Sequence, residues 1–110
     1  MKVLTTPEVR QYIKELSYIL YKKDYFSYLE YAEKYVEELF VDIKTNLPTR
    51  LHKPAPERYA KYGDDLHYAS FVKNKRTTWY AFFTKYRDEN GEINYLVQYI
   101  ANNHTIAQHL

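Results

Sequence analysis

The chain has 110 residues, of which 45% are hydrophobic and 27% charged, the size and composition of one globular domain with a single core. It contains no cysteine, which excludes disulfides and thiolate metal ligands and fits a reducing cytoplasm. The N-terminal sequence has no apolar segment typical of a signal peptide, and no apolar run approaches the ~18 residues of a membrane span. We therefore expect a cytoplasmic protein.

The net charge of +2 conceals an uneven distribution along the chain. Residues 1–43 have a net charge of −2, residues 44–87 of +7 and residues 88–110 of −3. A basic middle segment can form a face that binds a polyanion, but it can equally consist of scattered, solvated lysines. Charge alone leaves both interpretations open.

The N-terminal segment predicts a short strand followed by a helix. Residues 2–5 are mainly of strand-forming type, and Thr5 or Thr6 can cap a helix that has Pro7 in its first turn. Apolar residues then recur at helical spacing and give this helix one apolar face: Val9, Tyr12, Ile13, Leu16 and Leu20.

A second capping signal predicts a second helix. Ser27 is followed by Glu30 at the spacing of a capping box, and an apolar stripe then continues to Leu47, where Pro48 ends it. No proline or glycine lies between residues 8 and 47, so one continuous helix is possible. The second cap favours a helical hairpin instead.

The second half of the chain predicts a loop and three strands. Residues 48–65 contain three prolines and several basic residues, which favour an ordered loop or a short helical turn over a strand. Strand-like runs follow at His67–Asn74, Thr77–Arg87 and Glu92–Ala101, and Asn90-Gly91 is a strong hairpin signal between the last two. We therefore predict one α+β domain over residues 1–110: a short strand, a two-helix hairpin and an antiparallel β-meander, with the helices packed on one sheet face and the other face partly open.

This element order resembles the RelE/ParE superfamily of bacterial toxins, which belong to toxin–antitoxin pairs. The stretches that carry the resemblance are KRTTWYAFFTKY (75–86) and EINYLVQYIANNH (92–104), which are similar to plasmid-stabilisation-type toxins whose final strand ends in a histidine. Many RelE-type members are ribosome-dependent mRNA endonucleases, whereas ParE-type members inhibit gyrase, and the fold alone does not decide between these activities. The resemblance implies a cytoplasmic toxin with a cognate antitoxin as its partner.

Two residues match the family's nuclease positions. The terminal histidine matches His104, and the basic residue before the last hairpin has its nearest match in Arg76, which precedes the strand. Cleavage by attack of a 2′-OH needs a base, an acid and a cation but no metal. His104 can act as the acid or base, and Arg76 can hold the phosphate through bidentate donors. The alternatives are a polar strand end for His104 and a solvated turn charge for Arg76.

Other residues are candidates for RNA binding. Lys73, Lys75, Lys85 and Arg87 are candidate phosphate ligands, and Trp79, Tyr80 and Tyr99 are candidates for stacking on an unpaired base. Either face of the strand that contains Trp79 could be buried, so the alternative to a stacking role for Trp79 is a position in the core. Most of the 14 tyrosines are expected to pack. Five of them recur at roughly helical spacing and form a stripe, for which a groove or a dimer surface is the alternative role: Tyr18, Tyr21, Tyr25, Tyr28 and Tyr35.

No sequence feature predicts a metal or cofactor. The four histidines lack metal-ligand spacing, and no nucleotide-binding or nucleophile motif is present. The predicted function is a metal-independent, ribosome-associated mRNA endoribonuclease that acts as the toxin of a pair. The alternatives are a non-catalytic toxin that inhibits gyrase or another protein, and a non-toxic protein-interaction domain of the same fold.

Overall fold

The structure, a computed structural model, describes residues 1–106 and has the predicted α+β layout. Its elements are β1 (Val3–Thr5), α1 (Pro7–Lys22), α2 (Leu29–Asn46), β2 (Lys53–Pro54), β3 (His67–Asn74), β4 (Thr77–Arg87), β5 (Ile93–Asn102) and α3 (Asn103–Ile106), with 3₁₀ turns at Leu47–Thr49 and Glu57–Tyr62. Among the described residues, no helix combines the length and apolar character that crossing a membrane requires.

One mixed sheet has the strand order β1-β5-β4-β3-β2. The strands β3, β4 and β5 form the predicted antiparallel meander, while β1 runs parallel to β5. The β1–β5 ladder stops where Thr5 lies opposite Val97. Beyond Val97, β5 has β4 on one side and no described strand on the other, so this stretch is an open edge of the sheet.

A short edge strand, β2, lies where the sequence predicted a loop or a helical turn. Lys53 pairs with Tyr68, and Pro54 pairs with His67. Proline is tolerated here because one side of an edge strand makes no hydrogen bonds to a neighbouring strand, so the N–H that proline lacks is not needed. A strand of two residues shows no alternation of apolar and polar side chains, so nothing in the sequence could reveal it. The predicted short helical turn is also present, at Glu57–Tyr62.

The two helices form the predicted hairpin, but only the first cap is as expected. Thr6 accepts a hydrogen bond from the Val9 N–H at 3.1 Å, and Pro7 is the first residue of α1. The N-cap of α2 is Tyr28 rather than Ser27, and it makes no side-chain capping bond. Because the helix starts one residue later than the capping box requires, the Ser27–Glu30 signal identified the helix but not its first residue.

The core lies between the helices and one face of the sheet. Apolar side chains from both layers are less than 2% exposed, and each fully buried one contributes about 1.5–3 kcal/mol. They include Leu16, Leu39, Ile43, Phe71, Trp79, Phe83 and Val97. This face of β4 is therefore the one that carries Trp79 and Phe83.

The opposite face of the sheet is more covered than we expected. The Glu57–Tyr62 turn lies over it, and a second cluster is buried there: Tyr59, Leu66, Phe82 and Ala101. Half-buried tyrosines surround this cluster. A β-bulge interrupts the β4–β5 ladder at this cluster. Phe82 pairs with Tyr99 while the next residue, Phe83, pairs with Val97, which leaves Gln98 as the extra residue of β5.

Candidate functional site

The amide of Asn103 joins the end of β5 to the turn between β3 and β4. Its Oδ1 accepts a hydrogen bond from the Thr78 N–H at 2.9 Å, and its Nδ2 donates to the main-chain oxygen of Arg76 at 2.9 Å. One side-chain amide thus takes the place of a peptide group and prolongs the ladder beyond its last backbone pair. We call residues 76–78 and 102–104 together the strand-end junction.

His104 is exposed at this junction, and hydrogen bonds hold both its main chain and its ring. Its N–H donates to Oδ1 of Asn102 at 3.0 Å, and its Nε2 lies 3.2 Å from Oγ1 of Thr77. The direction of the second bond depends on which ring nitrogen carries the proton. These contacts orient an imidazole that stays open to solvent, and imidazole is the side chain that serves most often as a general acid or base.

Arg76 lies in the two-residue turn between β3 and β4. Its N–H donates to Oδ1 of Asn74 at 2.8 Å, a local bond that stabilises the turn. Its side chain is exposed, and its main chain is one hydrogen bond away from the residue that precedes His104. The two candidate catalytic residues therefore lie at the same junction.

Two of the four candidate phosphate ligands lie at this end of the sheet. Lys73 is the extra residue of a β-bulge just before the turn, and its Nζ lies 5.4 Å from the centroid of the Tyr35 ring. Lys75 is exposed in the turn itself, next to Arg76. The junction is therefore flanked by cationic side chains on the side of β3.

The other two, Lys85 and Arg87, lie at the far end of β4. A strand rises by about 3.3 Å per residue, so Arg87 lies about 30 Å from the start of β4 at the junction. Its Nη1 donates to the Gly91 oxygen at 2.9 Å and so supports the turn between β4 and β5. The structure does not bring these two residues together with Lys73 and Lys75, so any shared ligand would have to span the sheet.

Trp79 is a core residue, which removes it from the stacking candidates. It is 1% exposed, and its Nε1 donates to the Tyr35 hydroxyl at 2.8 Å. Burial raises the pKa of Tyr35 above its ordinary value, and the bond from Trp79 opposes that shift. A ring with no exposed face cannot stack on a base, so the alternative considered for Trp79 is the correct one.

The tyrosine candidates lie on the opposite face of the sheet and are half-buried. The ring of Tyr99 stacks on that of Tyr62, with centroids 4.3 Å apart and an interplanar angle of 7°, and Tyr80 packs edge-on against Tyr68. Burial raises the pKa of Tyr99, and the neighbouring tyrosine hydroxyls act in the same direction. Tyr99 therefore has one face already occupied by another ring.

Two cavities open on either side of His104. The α1–β5 cavity, about 440 Å³, lies between α1 and the open edge of β5 and includes Leu16 and Ile100 in its lining. The α2–β4 cavity, about 340 Å³, includes Tyr35 and Thr77. His104 lines both cavities, so each is a candidate site for a ligand that reacts at His104.

The sequence pattern puts Tyr25 in a stripe of tyrosines that was expected to pack or, alternatively, to form a groove or dimer surface. In the structure it is 58% exposed and, like His104, lines both cavities. A signal was present in the sequence, because the helical pattern breaks at Lys22-Lys23-Asp24 and aspartate is among the residues that tolerate the left-handed conformation of a helix end. That signal locates the end of α1, but it does not reveal that Tyr25 and His104 line the same cavities.

No group of three His, Asp or Glu side chains within residues 1–106 is arranged to hold a metal ion. One of the four histidines considered at the level of sequence, His109, lies outside the described residues. Of the remaining three, His52 donates from Nε2 to the main-chain oxygen of Leu47 at 2.8 Å and rests against the ring of Phe83, far along the chain from the junction.

Comparison of the chain with protein-family models, with curated proteins and with solved structures gives no match. The functional interpretation therefore rests on the residues and the geometry described above, together with the element order.

Proposed function

We propose that this protein is the toxin of a toxin–antitoxin pair and acts as a metal-independent, ribosome-associated mRNA endoribonuclease of the RelE/ParE type. The observation that carries the proposal is the strand-end junction, whose hydrogen bonds join the exposed imidazole of His104 to Thr77, the residue after Arg76, and join Asn103 to Arg76 itself. The layout of a short strand, two helices and a meander supports the same proposal.

The proposed reaction is transfer of the phosphodiester within the RNA. The 2′ oxygen attacks phosphorus as its proton passes to a base, the bond from phosphorus to the 5′ oxygen breaks, and an acid protonates that oxygen; the products are a 2′,3′-cyclic phosphate and a free 5′ hydroxyl. His104 serves as the acid or the base because its ring is both accessible and oriented by Thr77. Arg76 stabilises the crowded phosphate, for which a planar guanidinium with paired donors is well suited.

The partner that we propose is an antitoxin with an acidic, partly helical segment that folds on binding. The cations next to the junction, Lys73, Lys75 and Arg76, are complementary to such a segment, which would also keep RNA away from His104. Co-expression with the neighbouring gene, followed by affinity purification, tests this part of the proposal.

Two assays in cells separate the nuclease from its rivals. We expect induction of the chain to arrest growth and to stop protein synthesis while plasmid supercoiling stays normal. Loss of supercoiling with intact early translation would instead favour the gyrase inhibitor. Normal growth at a confirmed level of folded protein would favour a non-toxic interaction domain.

A further inference from the structure

Tyr25 is held in a fixed place immediately after α1. The Tyr25 N–H donates to the Leu20 oxygen and the Asp24 N–H to the Tyr21 oxygen, each at 3.1 Å. Asp24 has a φ of 61°, so the bonds and the conformation together form a Schellman motif at the end of the helix. The exposed ring of Tyr25 therefore extends from an ordered helix end rather than from a loose loop.

The ring of Tyr25 lies on the wall between the two cavities. Four residues line both the α1–β5 cavity and the α2–β4 cavity: Leu20, Tyr25, Asn102 and His104. Leu20 is 8% exposed and Asn102 is partly buried, whereas Tyr25 and His104 are exposed. A ligand that fills either cavity as far as His104 therefore shares that cavity with Tyr25.

We propose that Tyr25 is the platform on which a base of single-stranded RNA stacks when the adjoining phosphate lies at His104. This inference rests on the proposed nuclease function and adds the residue that positions the substrate. A tyrosine face binds any unpaired base, and stacking of this kind is a common way of holding single-stranded RNA. The stacking role predicted from the sequence for Trp79 thereby passes to an exposed ring that lines the same two cavities as His104.

The charges around this wall favour a polyanion as the occupant. Lys23 lines the α1–β5 cavity, and Lys73 lies over Tyr35, which lines the α2–β4 cavity. One lysine therefore lines the α1–β5 cavity and another lies next to a lining residue of the α2–β4 cavity, which suits a backbone that carries phosphates before and after the stacked base. The carboxylate in the cavity lining, Glu8, lies about 20 Å from Lys23 along α1, given a helical rise of 1.5 Å per residue.

The test compares Tyr25→Ala, Tyr25→Phe and a matched control, Tyr18→Ala. Tyr18 lies within α1 and, like Tyr25, is more than half exposed, at 53%, but it lines neither cavity. Binding is measured by fluorescence anisotropy with an eight-nucleotide, fluorescein-labelled single-stranded RNA whose 2′-O-methyl groups prevent cleavage. Cleavage of ribosome-bound mRNA is measured in parallel by primer extension.

We expect Tyr25→Ala to weaken binding and to slow cleavage by about 5- to 140-fold, the range for loss of one base–aromatic stack. Tyr25→Phe keeps the ring and should stay within about twofold of the wild type, as should Tyr18→Ala. If RNA is bound or cut and Tyr25→Ala behaves like Tyr18→Ala, the stacking role is overturned while the nuclease function stands. If the wild type neither binds nor cuts RNA, both proposals are wrong.

Discussion

Asn103 donates a hydrogen bond from Nδ2 to the main-chain oxygen of Arg76, 2.9 Å away. Through this contact the end of β5 and the β3–β4 turn become one structural unit, although the two residues are 27 positions apart in the chain. The Asn103 amide extends the sheet beyond β5, the Asn102 Oδ1 accepts from the His104 N–H, and the His104 imidazole remains exposed.

We expect Asn103→Ala to lower the free energy of unfolding by about 1–3 kcal/mol, because the Thr78 N–H and the Arg76 oxygen both lose their partner. Asn103→Asp keeps an acceptor for Thr78 but has no donor for Arg76, so its loss should be smaller. Urea unfolding of the three proteins measures the difference. Equal stability of Asn103→Ala and the wild type would show that the bridge does not hold the junction.

The bond between Trp79 and Tyr35 gives a second stability prediction. Tyr35→Phe leaves the indole N–H of a residue that is 1% exposed without its acceptor, which should cost about 1–3 kcal/mol. The control is Tyr31→Phe, which removes the same hydroxyl from a ring that is 56% exposed and should change stability by less than about 0.5 kcal/mol. Matching unfolding curves for the two variants would contradict this account of Trp79.

The order of helices and strands was predictable from the sequence because the patterns that specify it are local and recur along the chain. Helical spacing, Pro7, Pro48 and Asn90-Gly91 each act over a few residues, and the helices and main strands follow them. The boundaries shifted where one local signal stood alone, as at Ser27.

The features that sequence could not supply depend on which residues meet in space. Alternation along β4 left both faces open until the helices were found to cover the one with Trp79. Charge counting grouped Lys85 with Lys73 although they lie towards opposite ends of the sheet. Tyr25 and His104 lie 79 positions apart, and only the packed fold places both on the wall between two cavities.

Stability should also depend on pH through Asp88 at the β4–β5 turn. Its carboxylate accepts hydrogen bonds from the Asn94 side chain and from the N–H groups of Asn90 and Glu92. These bonds, that from Asn94 above all, hold the pKa of Asp88 below its usual range. The folded-state pKa is depressed, so the stabilisation is present above the unfolded value of ~3.9 and is lost as the pH falls through the folded value.

Thermal unfolding of the wild type and of Asp88→Asn at a series of pH values measures this contribution. We expect the wild type to have the higher midpoint at neutral pH and the gap to shrink steadily below pH ~3.9. A gap that stays constant down to the lowest pH would show that the carboxylate charge at the turn contributes nothing.

The tyrosines predict a second pH effect, on the alkaline side. Burial raises the pKa of Tyr12, Tyr35, Tyr59 and Tyr99 above the ordinary value of about 10. These groups favour the neutral form in the folded state, so their contribution to stability is present below pH ~10 and is lost as the pH rises above it. Tyrosinate absorbance of the native chain should therefore complete its rise at a higher pH than that of the chain in denaturant, where these four hydroxyls are exposed. Completion of both rises at the same pH would contradict the burial of these hydroxyls.

Cleavage of ribosome-bound mRNA, mapped by primer extension for the wild type, His104→Ala, Arg76→Ala and Arg76→Lys, tests the central claim most directly. Both residues are exposed, so each alanine variant should keep its circular dichroism spectrum and lose no more than about 0.5–1 kcal/mol of stability. We predict that His104→Ala cuts about 10²–10⁴-fold more slowly, that Arg76→Ala also loses activity, and that Arg76→Lys recovers only part of it because an ammonium lacks the bidentate contact. Cutting by both alanine variants at the wild-type rate, or no cutting by the wild type, would contradict the account.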